Sequence, residues 1–179
     1  MKRWCIPVLL ATVIAMAAVA SVNRGALSAM ELGFDKRIQT LSVDVPFELL
    51  GNTRGLYLEG YGAVFTAEVN LSQSININPF QPTIPKEYVE KLRQRKRERV
   101  PVLEKCMQDE MMAMAASLDG VPINEQIVLG VTLFYRKWED TTGLPSQVIM
   151  RAERQKLMDV QAGRTKRQAL NSIIQVQEL

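Results

Sequence analysis

Any chemistry in this chain must be done without histidine, because its 179 residues contain none. That removes Ser-His and Cys-His nucleophile pairs, imidazole acid–base catalysis and most zinc or haem sites. Carboxylates remain. Glu139 and Asp140 stand side by side in "WEDTTG", in a polar loop that follows an apolar run. A loop at a strand end is a suitable place for a site. Paired carboxylates can run acid–base chemistry when their environments separate their pKa values. Adjacent loop residues usually point apart, however, and the stretch reads equally well as a turn with solvated charges. Glu139 and Asp140 are therefore the catalytic candidates of a second reading, a histidine-free hydrolase. Asp109 and Glu110 only flank the apolar face of a helix.

Soft ligands form the next constellation. Met107, Met111 and Met114 recur at helical spacing, with Cys106 and Met112 adjacent. Thioethers and thiolates suit Cu(I), which makes Cys106, Met107, Met111 and Met114 the candidate metal ligands. Leu103 and Leu118 extend the same stripe. A stripe bounded by leucines is the pattern of a core face in which methionine fills irregular gaps. The reading preferred here is core, with no metal and no cofactor.

The densest charge lies from Lys86 to Arg99, seven basic against three acidic residues, a local +4. Lys91, Arg93, Arg95, Lys96, Arg97 and Arg99 are the binding candidates, for anionic headgroups, acidic glycans or an acidic protein face. The competing reading is a solvated helix surface, supported by pairs such as Glu87 with Lys91. No aromatic residue interrupts the densest part of the run, so it lacks the stacking platforms that single-stranded nucleic acid uses. Asn70-Leu71-Ser72 fits the N-glycosylation pattern, a short motif that matters only in a eukaryotic secretory pathway.

These residues need elements to hold them. "TLSVDVP" alternates Leu41, Val43 and Val45 with polar residues and predicts a strand ending at Pro46. In "LYLEGYGAVFTAEVNL" the apolar residues change phase between Leu58 and Tyr61. A two-residue turn at Gly60-Tyr61, or a one-residue bulge, absorbs that change. Either keeps Leu56, Leu58, Ala63 and Phe65 on one face, the turn pairing Leu58 with Ala63. The proline-rich "SQSININPFQPTIP" predicts an irregular connection. A long helix follows from about Pro85 to Gly120, kinked or restarted at Pro101. "QIVLGVTLFY" predicts a central strand covered on both faces and "SQVIMRA" another, with Val148, Met150 and Ala152 on one side. The fold class expected is α+β, a mostly antiparallel sheet of four to five strands packed on one long helix.

At the N-terminus, Lys2 and Arg3 precede an uncharged run from Trp4 to Asn23 that contains Ala18-Val19-Ala20 followed by Ser21. A basic start, an apolar middle and small residues at the end form an export signal, with cleavage between Ala20 and Ser21. The alternative is an uncleaved membrane anchor, since the run is long enough to span once. The organisation expected is a signal over 1–20, a linker over 21–37, one α+β domain over 38–162 and a polar tail or short helix over 163–179. The whole chain carries 22 basic and 19 acidic residues; without Lys2 and Arg3 the balance is 20 to 19, a formal +1. The bulk argument for nucleic acid goes with them. Cleavage also leaves Cys106 as the sole cysteine, so no internal disulfide can form.

The sequence thus favours a small exported protein, periplasmic or extracellular, or anchored in the inner membrane if the signal stays. It reads as a non-catalytic binding or assembly component of a bacterial cell envelope, leaning away from an enzyme. Its expected partners are a second copy, another envelope protein or an anionic surface met through the basic helix.

Overall fold

The computed structural model describes residues 22–42, 44–73 and 83–179. The Ala20–Ser21 junction and most of the proline-rich connection lie outside the described residues. Within them, a six-stranded mixed sheet carries its helices on one side. In chain order the elements are α1 (Arg24–Thr40), β1 (Glu48–Leu49), β2 (Arg54–Leu58), β3 (Gly62–Asn70), α2 (Lys86–Ser117), β4 (Gln126–Leu133), β5 (Gln147–Glu153) and α3 (Arg154–Gln161). A 3-10 turn (Arg167–Ala169), α4 (Leu170–Ile173) and β6 (Gln175–Glu178) complete them.

The strands run β1-β3-β4-β5-β6, with β2 continuing the β1 edge of β3. Four pairings are antiparallel and one, β3 with β4, is parallel. The α+β expectation holds at that level, but the sheet is mixed and has six strands. The parallel pair follows from the connection, because a helix the length of α2 returns the chain to the end of the sheet where β3 began.

α2 is one helix of 32 residues that runs through Pro101 without a break in assignment, about 48 Å at 1.5 Å per residue. Its buried stripe includes Leu92, Val100, Leu103, Met107, Met111 and Met114, and it packs against β4, β5, α1 and α3. β4 is central, and Ile127, Leu129 and Val131 enter the core from it. Val148, Met150 and Ala152 of β5 join them on the same side, as their alternation predicts.

Two expectations fail for identifiable reasons, and a third is met in part. The 21–37 linker is largely α1. Its inward positions are Leu27, Glu31, Phe34, Asp35 and Ile38, so two carboxylates interrupt the apolar period. Asp35 Oδ1 accepts from Thr53 N at 2.9 Å and Glu31 Oε1 from Gly55 N at 2.7 Å. Burial raises the Glu31 pKa, but the Gly55 bond and the Arg24 guanidinium outweigh it and the net shift is downward. The "TLSVDVP" strand is replaced by irregular chain at Leu41–Ser42 and Asp44–Phe47, with only Glu48–Leu49 paired to β3. The C-terminal segment holds the short helix expected of it, α4, and then ends in a further strand, β6, whose four exposed residues carry no alternation to read.

The β2–β3 hairpin also differs from its reading. Its register pairs Leu58 with Gly62, Leu56 with Val64 and Gly55 with Phe65. The loop therefore has three residues, closed by Tyr61 N donating to Leu58 O at 3.0 Å with Gly60 at φ +77. The phase change is kept and not absorbed. Leu56 and Leu58 are 46% and 47% exposed, and Gly55 takes the inward place because Phe65 covers it. A Cβ on Gly55 would lie 2.5 Å from the Phe65 ring.

Candidate functional site

The catalytic and binding candidates from the sequence meet in one place. The strand β4 ends at Leu133, and the loop after it folds back on the N-terminal half of α2. Lys96 Nζ lies 2.5 Å from Glu139 Oε2 and 3.3 Å from Phe134 O. Both side chains are buried, 1% and 3% exposed. The Tyr135 ring lies 4.9 Å from the ammonium, within cation–π range. Burial lowers the Lys96 pKa despite the carboxylate beside it.

Two further contacts continue the clamp. Arg93 Nη1 pairs with Asp140 Oδ2 at 3.0 Å, and Arg97 Nη2 donates to Thr142 O at 3.2 Å. Asp140 Oδ1 accepts from Thr142 N at 2.9 Å, and hydrogen bonds from Thr142 hold its carboxyl below the usual range. Gly143 sits at φ +70, and a Cβ there would lie 2.9 Å from Arg97 Nη2. Trp138 meets Tyr88 of α2 at 6.1 Å between ring centres. The two acids thus point to different cations, Glu139 to Lys96 and Asp140 to Arg93.

The basic segment is correspondingly less free than its composition suggests. Arg93, Lys96 and Arg97 hold the loop, and Lys91 pairs with Glu87 at 2.6 Å, as the i,i+4 spacing predicts. The Arg99 guanidinium stacks 3.9 Å from the Phe47 ring, and burial lowers its pKa. Its Nε and Nη2 have no hydrogen-bond partner among the described residues. Arg95 is exposed. No sequence signal distinguishes Lys96 from its neighbours except its place on the buried stripe, one turn from Leu92 and Val100.

The soft-ligand stripe is core. Met107, Met111 and Met114 are fully buried and Cys106 nearly so, within one hydrophobic cluster that includes Leu103 and Leu118. Burial pushes the Cys106 thiol up to about 11. Among the described residues no group of three or more metal-ligating Cys, Asp or Glu side chains assembles. The glycosylation motif is inaccessible in the folded chain. Asn70 is 1% exposed and donates to Glu48 Oε2 at 3.0 Å, and Ser72 is fully buried.

One feature was not read from the sequence. The helices and the core cluster lie on a single side of the sheet, and the outward residues of the other side stay outside that cluster. Leu56, Val64, Val128 and Arg151 form one row across four strands, and Thr66, Gly130 and Ile149 form the next. No described helix packs on this face; Leu56 is 46% exposed there, while Val128 is 8% exposed among its neighbours. The clue was Val128, apolar on a strand whose other outward positions are Gln126, Gly130 and Thr132.

No described helix is long and apolar enough to cross a membrane. Comparison with known proteins gives no match to a family model, to a curated protein or to a solved structure.

Proposed function

We propose that this chain is a small exported component of the bacterial cell envelope that works by binding or assembly and not by catalysis. The observation that carries the second half is the separate capture of Glu139 by Lys96 and of Asp140 by Arg93. Each carboxylate is engaged by its own cation, and an acid–base pair needs both groups at one reacting atom. Support for the first half is the N-terminal pattern of Lys2, Arg3, the apolar run and Ala18-Val19-Ala20. Partners are a second copy or another envelope protein. Arg93, Lys96 and Arg97 are engaged by the loop and Lys91 by Glu87, so contact with an anionic surface is the weaker part of the proposal.

The test is fractionation of the native chain, mass spectrometry of its N-terminus, and cross-linking with co-purification from the envelope fraction. The expected result is a chain starting at Ser21, outside the cytoplasm, in a stable complex. A full-length chain in the cytosolic fraction would overturn the export assignment. Turnover of any substrate that is lost in Glu139→Gln would overturn the non-catalytic one.

A further inference from the structure

At one end of the outward sheet face, the β2–β3 turn meets the start of β4, the end of β5 and the start of β6. A cavity of about 390 Å³ lies there, lined by Gly60, Tyr61, Asn124, Gln126, Arg151 and Gln175. We propose that this cavity binds an acidic saccharide unit, with its carboxylate on Arg151 and its hydroxyls on the three carboxamides.

The lining selects the ligand class. Asn124, Gln126 and Gln175 each offer two N–H donors and a carbonyl acceptor on one planar group. A sugar presents adjacent hydroxyls that both donate and accept, which is the matching pattern. No aliphatic side chain lines the cavity, so an apolar ligand would find nothing to replace its lost hydration. The 43% exposed Tyr61 supplies a surface for the C–H face of a ring while keeping its hydroxyl wet.

Arg151 is the charged member of the lining, and no carboxylate accompanies it there. Its Nε is fixed by Gln175 Oε1 at 2.8 Å, and no hydrogen bond among the described residues engages its terminal nitrogens. A guanidinium in that condition is suited to a carboxylate. A single arginine is a thin site for a nucleotide's phosphates, which favours a singly charged sugar acid.

The cavity is also rigid. Gln126 N donates to Tyr61 O at 2.8 Å, tying the turn to β4. Glu125, 7% exposed, lies between two lining residues in the chain. Its Oε1 accepts from Gly60 N at 3.0 Å and from the Tyr57 hydroxyl at 3.2 Å. Its Oε2 is buried without a hydrogen-bond partner among the described residues. The volume falls at the small end of the range for small-molecule sites, about 300–1,000 Å³.

This deepens the binding reading by naming a ligand, and its failure is separable from failure of that reading. The isotope-labelled full chain is titrated with D-glucuronate, followed by backbone and side-chain amide shifts, with D-glucose and inorganic phosphate as comparators. Saturable shifts are expected at Tyr61 and Gln126 and at the carboxamides of Asn124 and Gln175. Affinity should fall at least about tenfold for D-glucose and in Arg151→Gln, through loss of a charge-assisted pair. Arg151 and Asn124 are exposed, so Arg151→Gln and Asn124→Ala should keep the native spectrum while both weaken binding. Absence of saturable shifts at these residues, equal affinity for phosphate, or undiminished binding by Arg151→Gln would each overturn the proposal. Co-purification does not depend on the sugar, so it still decides the broader reading.

Discussion

Lys96 occupies a position on α2 that an aliphatic side chain would ordinarily fill, and it is tolerated there because Glu139, Phe134 O and the Tyr135 ring surround its ammonium. Removing one partner of a buried pair strands the other charge, so Lys96→Ala or Glu139→Ala should each cost about 3–5 kcal/mol. The double variant Lys96→Met with Glu139→Leu should regain most of that, because no charge is left to desolvate. Urea unfolding of the three proteins checks both statements. Cys106 gives a pH signature. Its native value of about 11 against 9.0 means that the folded chain keeps a proton the unfolded chain gives up. Its contribution is therefore complete below pH 9 and is lost as pH rises through 11. Unfolding at about pH 8 and about pH 10.5 should show a steeper alkaline loss in the native protein than in Cys106→Ala. The thiol should also react with aromatic disulfides only as fast as the chain opens.

At the scale of elements, the close join between β3 and β4 makes Gly62 the most constrained position. It sits at φ +136, and a Cβ there would lie 1.9 Å from Gln126 O. Gly62→Ala should destabilise by about 3 kcal/mol or more, combining backbone strain with displacement of β4. Gly60, at φ +77 with open space around it, should accept Asn within about 1 kcal/mol, since Asn tolerates that conformation. Thermal unfolding of the two variants separates strain from packing. The same elements show what could be read from sequence. β5 and the stripe of α2 were legible because each buries one face and repeats its period; β4 was legible as a central strand, but only one of its faces enters the core, against the cover on both faces expected of so apolar a run. α1 was not, because Glu31 and Asp35 face inward to hold the backbone of Thr53 and Gly55. Leu56 and Leu58 misled for the opposite reason, being apolar on a face that no described helix covers. The Lys96–Glu139 pair joins residues 43 positions apart, and local pattern carries no information on such a meeting.

For the whole molecule, one hydrophobic cluster spans the sheet, α1, α2 and α3, so unfolding should be a single cooperative transition. In a Trp4→Phe variant, fluorescence reports on Trp138, which stands in the loop clamped to α2. Its denaturation curve should coincide with far-UV circular dichroism; an earlier fluorescence change would mean that the loop detaches by itself. The parallel β3–β4 pair has a consequence for how the chain is made. Synthesis runs from the N-terminus, so the residues of α1 and of the β1–β3 half-sheet are made before any residue of β4 has been added. Throughout the making of α2, the nine-residue strand β3 has no neighbour on its second edge. A bare edge lined by Ala63, Phe65, Ala67 and Val69 is a template for any passing strand. The nascent chain is therefore most prone to mispair during that interval, and whatever shields it, a chaperone or a translocation channel, has to act before Gln126 is reached.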